Sequence, residues 1–121
     1  MKKQNETFAL YDLHVEVVGE QKEFVCSHHV GDGFDVVGEN LIFSKTMNFS
    51  LYALSALLPL IPAKQRQTHK SDWMTTDAEV ACPDPNCMAR FRITRTGRRE
   101  FRHSEVTKVP LIKTLQRKKH I

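Results

Sequence analysis

The sequence predicts an α+β domain that is mainly β: a small antiparallel sheet with one buried helix and a zinc site made from two short ligand clusters. Several short segments alternate apolar with polar residues, as half-buried strands do. One apolar run, from Phe49 to Ile61, contains Pro59, is followed by Pro62 and favours a helix. All three cysteines fall in two clusters, near position 26 and at 82–87. At 121 residues and 14.0 kDa, the chain has room for one domain with a modest core.

The first half of the chain predicts strands separated by turns. Apolar residues alternate with polar ones over 11–17, which predicts a half-buried strand. Residues 30–33 carry two glycines and predict a turn, and residues 34–37 predict the second strand. A second turn at 38–40 leads into a short apolar piece at 41–43.

A helix is predicted next, capped by Asn48 or Ser50 and bounded by Pro59 and Pro62. The helix is apolar on nearly every face, so we expect it to be buried all round. Part of the helix surface would be buried within this domain, and another subunit could bury one face of the helix. The apolar run has 13 residues, fewer than the ~20 needed to span a bilayer.

The second half begins with a polar connector over 63–72. Strands are predicted at 78–81 and at 89–95, on either side of the second cysteine cluster. A turn at Gly97 then predicts a hairpin, with 101–106 as its return strand. We expect a single zinc-binding, β-rich domain over residues 1–107. The basic tail, 108–121, is expected to be a short amphipathic helix or an extended arm.

Charge is divided unevenly along the chain. Residues 1–89 hold 7 Lys and Arg against 12 Asp and Glu, whereas residues 90–121 hold 11 against 2. A basic C-terminal third suits an acidic surface, which could be nucleic acid, an acidic protein or a phosphorylated ligand, or it could simply be solvated. Arginines interleaved with Phe91 and Phe101 would suit single-stranded nucleic acid, but strands with one arginine face look the same. Because no recognition motif is present, a nucleic-acid-binding module is kept as the alternative interpretation.

The two cysteine clusters supply four candidate metal ligands: Cys26 with either His28 or His29, and Cys82 with Cys87. Four N/S ligands from two separated knuckles are typical of a tetrahedral Zn²⁺ site. Such a site has no open position, so the zinc would be structural and the chain non-catalytic. Three free thiols, with Cys26 packed as a small apolar residue, remain the plain alternative. A disulfide is disfavoured because the cysteine count is odd.

No sequence pattern for a nucleophile elbow, a phosphate loop, a zinc protease helix or a dinucleotide site is present. A free-standing metalloenzyme is disfavoured because a four-ligand metal site leaves no position for substrate. The start of the chain, Lys2-Lys3 followed by polar residues, does not resemble a secretory signal, so we expect a cytoplasmic, reducing location.

Short motifs in the chain carry a resemblance to known proteins. They are Cys26-x-His28, then Val30-Gly-Asp-x-Phe34, then a leucine-rich helix ending in proline, then Ala81-Cys-Pro-Asp-Pro85. This order resembles a small bacterial family marked by G-H-K-V-G-D and C-P-D-P motifs. It is also similar to the smallest subunits of acetone and acetophenone carboxylases, which are ATP-dependent ligases with large subunits related to hydantoinases and oxoprolinases.

The resemblance implies a zinc-binding, non-catalytic subunit in a hetero-oligomer with those large subunits. The apolar run, too short to span a bilayer, separately predicts no contact with membranes. It also implies that His28 is the histidine ligand. Ser50 stands where the bacterial family often has a cysteine. Cys87 is absent from many of those relatives and would act as the fourth ligand here.

Overall fold

The computed structural model describes residues 6–19, 28–44 and 48–112, which form a small α+β domain. Its five strands make one antiparallel sheet in the order β3-β2-β1-β5-β4. In chain order, the elements are β1 (Thr7–Val18), β2 (Gly33–Val37), β3 (Asn40–Phe43), α1 (Leu51–Leu57), α2 (Ile61–Lys64), α3 (Trp73–Thr76), β4 (Glu79–Ala81), β5 (Arg90–Arg102) and α4 (His103–Val106). The predicted fold class is confirmed in this form, an antiparallel sheet with a few short helices.

The core lies on one face of the sheet. Leu13, Val15 and Val17 of β1 are fully buried, as their alternation with polar residues predicts. They pack with Phe34 and Phe91, and α1 and α2 cover them through Ala53, Leu57 and Ile61. These contacts confirm the predicted strands at 11–17 and 34–37 and fix which face of each strand is buried.

The longest pairing in the sheet joins β1 to β5, from Thr7 opposite Arg102 to Val18 opposite Arg90. Its register shifts between Asp12 and Leu13. A shift of this kind bends and twists a strand pair locally, which lets two long strands stay paired along their whole length.

The hairpin predicted around Gly97 is wrong. β5 continues through Gly97 to Arg102, and the segment that follows is the short helix α4 instead of a return strand. The partner of this region is β1, whose twelve residues offer hydrogen bonds along the full length of β5. Gly97 lies opposite Asp12, where a Cβ atom would approach the Asp12 carboxylate to 3.4 Å.

Ser50 caps α1, as predicted, because its hydroxyl accepts a hydrogen bond from the Ala53 N–H at 3.2 Å. The prediction that the helix is buried all round is wrong within the described part of the chain. Leu51 and Tyr52 are each 74% exposed. The helix ends at Leu57, with Leu58 as its C-cap directly before Pro59, and Pro62 lies in the first turn of the next helix, α2.

Part of the predicted polar connector is buried. Lys64 and Gln65 are each 6% exposed. The Lys64 ammonium donates to the carbonyls of Met74 and Asp77, and Gln65 Nε2 donates to the Gly38 carbonyl at 2.7 Å. These bonds tie the segment after α2 to α3 and to the β2–β3 turn, so the side chains point inward despite their polarity.

Residues 108–112 of the predicted tail are neither helix nor strand, and residues 113–121 lie outside the described ranges. Among the helices in the described ranges, none has the length and apolar character needed to cross a membrane.

Candidate metal centre

His28 is the most deeply buried titratable side chain of the first ligand cluster that the structure describes. It is 2% exposed, and its ring lies between Phe49 and Phe91, with centroid distances of 5.3 and 5.0 Å. Its Nε2 atom is buried and has no hydrogen-bond partner among the described residues. A buried ring nitrogen with no partner at all would cost free energy, so we expect His28 Nε2 to have a partner outside the described residues.

Burial lowers the pKa of His28 below its ordinary value of 6.5. The Asp32 carboxylate acts in the opposite direction, and the neighbouring His29 lowers the pKa further. The imidazole is therefore neutral at physiological pH, which is the form that binds metal ions.

His29, the local alternative to His28, has a different environment. Its side chain is 71% exposed, and its Nδ1 lies 3.5 Å from an Asp32 oxygen. Its backbone N–H donates to the same carboxylate at 3.1 Å. His29 thus belongs to the turn before β2, and His28 is the histidine that enters the core.

The second cluster lies in the turn between β4 and β5, as the flanking strand patterns predict. The Cys82 N–H donates to the Ala89 carbonyl at 3.1 Å, which extends the ladder of the two strands. The Cys87 N–H donates to the Asp84 carbonyl, and the Asn86 N–H donates to the Asp84 side chain at 2.9 Å. Asp84 thereby closes the turn and fixes where the two cysteines stand.

Both cysteines belong to the apolar core. Cys82 is 9% exposed and Cys87 is 4% exposed, and they share a buried cluster with Phe91. The His28 ring contacts Phe91, and Phe91 belongs to the core cluster that also contains the two cysteines.

The described residues alone do not assemble a metal site. In ranges 6–19, 28–44 and 48–112, no three His, Cys, Asp or Glu side chains are gathered as a metal would require. Cys26, the fourth predicted ligand, lies outside the described residues. The sequence analysis did not identify Phe49 and Phe91 as neighbours of His28. Phe49 lies just before α1, and its spacing from the two ligand clusters matches no known pattern.

The arginines of β5 mostly contact this chain's own acidic groups. Glu79 of β4 pairs with Arg90 at 3.1 Å and with Arg92 at 2.9 Å. The hydrogen bond from Arg92, with the charges of both arginines, lowers the pKa of Glu79, while desolvation opposes them. Acidic residues from the first 89 positions thus contact β5 across the sheet. The charge division along the sequence does not indicate this pairing.

At the C-terminal end of β5, arginines also pair with this chain's own acidic residues. Arg99 Nε donates to both oxygens of Asp12, at 2.8 and 3.0 Å, which raises the pKa of the guanidinium. Arg102 pairs with Glu6 at 2.8 Å. The Ser104 backbone N–H, more than Arg102, lowers the pKa of Glu6.

Arg95 lies between these pairs and binds backbone instead. It donates to the carbonyls of Lys64 and Arg66, both at 2.8 Å, and its guanidinium lies 4.4 Å from the centre of the Tyr11 ring. These contacts hold the segment after α2 against the sheet.

Comparison with known proteins yields no relative: no protein-family model, curated protein or solved structure matches this chain. What the chain does must therefore be argued from its own residues and from the motif resemblance described above.

Proposed function

We propose that this chain is a small, non-catalytic, cytoplasmic subunit, stabilised by a structural Zn²⁺, of a multi-subunit ATP-dependent ketone carboxylase similar to acetophenone carboxylase. The observation that carries the subunit part is the exposed apolar face of α1, where Leu51 and Tyr52 are each 74% exposed. Apolar side chains grouped at a protein surface commonly mark a site of association.

The zinc part rests on His28. Its buried Nε2 lacks a protein partner among the described residues, and its neutral ring is ready to bind a metal. Cys82 and Cys87 border the same core region, and Cys26 precedes His28 by two positions. These four residues would hold the ion, and a bound zinc would cross-link the start of β2 to the β4–β5 turn, stabilising the fold without activating substrate.

Other exposed apolar residues extend beyond α1. Leu58, just after the helix, is 45% exposed, and Trp73 at the start of α3 is 60% exposed. Aromatic residues are enriched at interface centres, so this composition suits docking to a larger protein.

The nature of the partner is supported by the motifs alone. Cys26-x-His28 and Ala81-Cys-Pro-Asp-Pro85 are the segments that resemble the small carboxylase subunits. Large subunits related to hydantoinases and oxoprolinases are accordingly the partners we propose.

Co-expression tests this proposal. The chain is produced alone and together with large hydantoinase-like subunits of the proposed kind. Alone, it should self-associate or dissolve poorly, whereas with them it should co-purify as a complex of roughly several hundred kilodaltons, as obligate multi-subunit interfaces imply. A stable, monodisperse monomer that does not bind those subunits would refute the proposal.

A further inference from the structure

A groove of about 910 Å³ opens beside the core, away from the candidate metal centre. Its apolar wall is formed by Phe8 and Leu10 of β1, Phe101 of β5, and Leu58 and Ile61 from the helical side. The volume lies within the range of roughly 300–1,000 Å³ that is usual for small-molecule sites.

Aromatic packing orders part of the apolar wall of the groove. Phe8 and Phe101 are directly opposite each other in the β1–β5 register, and their rings stack with 5.5 Å between centroids. Two rings packed in this way give the wall a fixed apolar surface, against which an alkyl or aromatic group can lie with little loss of protein entropy.

Two arginines line the same groove with donors to spare. Arg99 uses Nε for Asp12, and its two Nη groups bind no other described residue. Arg66 donates from one Nη to the Pro62 carbonyl at 2.9 Å, and its remaining N–H groups have no acceptor in the described part of the chain.

Glu39 and Glu105 also line the groove, and neither pairs with a cation among the described residues. Both are exposed, and no hydrogen bond to their carboxylates is present in the described ranges. Arg99, in contrast, is held in place by Asp12. A fixed guanidinium with free donors is better prepared to bind an ion than an unanchored carboxylate.

We propose that this groove binds a small amphipathic carboxylate. Its apolar body would lie on the Phe8–Phe101 surface, and its carboxylate would accept hydrogen bonds from Arg99 and Arg66. A guanidinium presents parallel N–H donors that match the two oxygens of a carboxylate, which distinguishes this ligand class from alcohols and amines.

Calorimetric titration of the full chain with three probes of equal tail length tests the assignment: decanoate, decanol and decylamine, each below its micelle concentration or solubility limit. Decanoate should bind at one site per chain, more tightly than decanol, and decylamine should bind most weakly. Arg66→Gln and Arg99→Gln should each weaken decanoate binding roughly tenfold, as the loss of a charge-assisted hydrogen bond implies, and leave decanol binding unchanged.

Arg98→Gln is the matched control, since Arg98 is an exposed β5 arginine that does not line the groove. Arg99→Gln also removes the partner of Asp12, so thermal melting must show that it is folded, and Arg66→Gln tests the proposal independently. Tighter binding of decylamine, equal binding of decanoate and decanol, equal weakening by Arg98→Gln, or no binding would each overturn it. So would a sedimentation experiment in which the chain self-associates and decanoate binding falls as it does so, because a second copy would then occupy the groove.

Discussion

The His28 ring meets the Phe91 ring nearly edge to face, at an interplanar angle of 78° and 5.0 Å between centroids. The same histidine keeps a buried Nε2 without a hydrogen-bond partner in the described ranges. Aromatic packing alone would explain the burial of the ring, but it leaves the nitrogen uncompensated. A metal ion bound at Nε2 would explain both observations.

Purified without chelators, the chain should contain about one Zn²⁺ per molecule, as a four-ligand site implies. His28→Ala, Cys82→Ser and Cys87→Ser should each release the metal and destabilise the fold, because metal binding and folding are coupled. Elemental analysis and urea unfolding measure the two effects.

His29→Ala is the control, because His29 is exposed and lies beside Asp32 instead of in the core. It should keep its zinc and its stability. Metal-free wild-type protein, or equal loss of zinc from the His28 and His29 variants, would contradict the predicted centre.

Local pattern predicted most of the sheet. Strands at 11–17, 34–37 and 78–81 follow from a period of two, which any half-buried strand must show. The hairpin at Gly97 was wrong because the partner of β5 is β1, at the other end of the chain. Local sequence carries no record of such a distant pairing, and a glycine followed by alternating residues suits a turn and a continuous strand equally well.

The candidate site was predictable only in part. The turn chemistry around Asp84 and the flanking strands indicated the second knuckle. The choice between His28 and His29 could not come from spacing, because burial depends on how the chain enters β2. The pairing of β5 arginines with Glu79 and Asp12 was also hidden, since it depends on which strands are neighbours.

Glu79 should make stability depend on pH in the acid range. Its pKa is lowered in the folded state, chiefly by the hydrogen bond from Arg92, so the folded carboxylate holds protons less readily than the unfolded one. The stability that this lowered pKa contributes is fully present above the ordinary value of 4.5 and is lost as the pH falls through the lower, folded pKa. Glu79→Gln should therefore lower the urea midpoint near neutral pH and have less effect in acid.

Glu100→Gln provides the comparison for that experiment. Glu100 is an exposed β5 residue that forms no ion pair with another described residue. Its urea midpoint should match the wild type near neutral pH. Equal effects of the two substitutions at both pH values would show that the Glu79 pairs contribute nothing specific.

Lys64→Met should destabilise the domain. Its ammonium donates to the carbonyls of Met74, in α3, and of Asp77, directly after it, and its removal leaves both without that donor. A hydrogen bond made by a charged group contributes about 1.5–3 kcal/mol. Urea unfolding measures the change, with the exposed Lys70→Met as a control that should lie within about 0.5 kcal/mol of the wild type.

Binding to nucleic acid should be weak, sensitive to salt and without sequence preference. Of the six β5 arginines, Arg90, Arg92, Arg99 and Arg102 form ion pairs within the chain. Arg95 is engaged with backbone carbonyls. Fluorescence anisotropy with labelled oligonucleotides at low and physiological salt measures this, and tight binding to one defined sequence would favour the nucleic-acid-binding alternative.

Leu51→Glu should abolish co-purification with the large subunits without unfolding the domain. Leu51 is 74% exposed and follows the Ser50 cap, so a glutamate there enters the first turn of α1, where negative charge is favourable to a helix. In an apolar interface, the same charge would be buried without a partner, which destabilises the complex. Leu54→Asp is less suitable, because Leu54 packs against the core and its loss would unfold the chain.

Thermal melting and size-exclusion chromatography of the co-expressed proteins separate folding from assembly, with the exposed Gln67→Glu as a control for added charge. If the Leu51 variant co-purifies as well as the control does, α1 is not the contact, and the exposed apolar face needs another explanation.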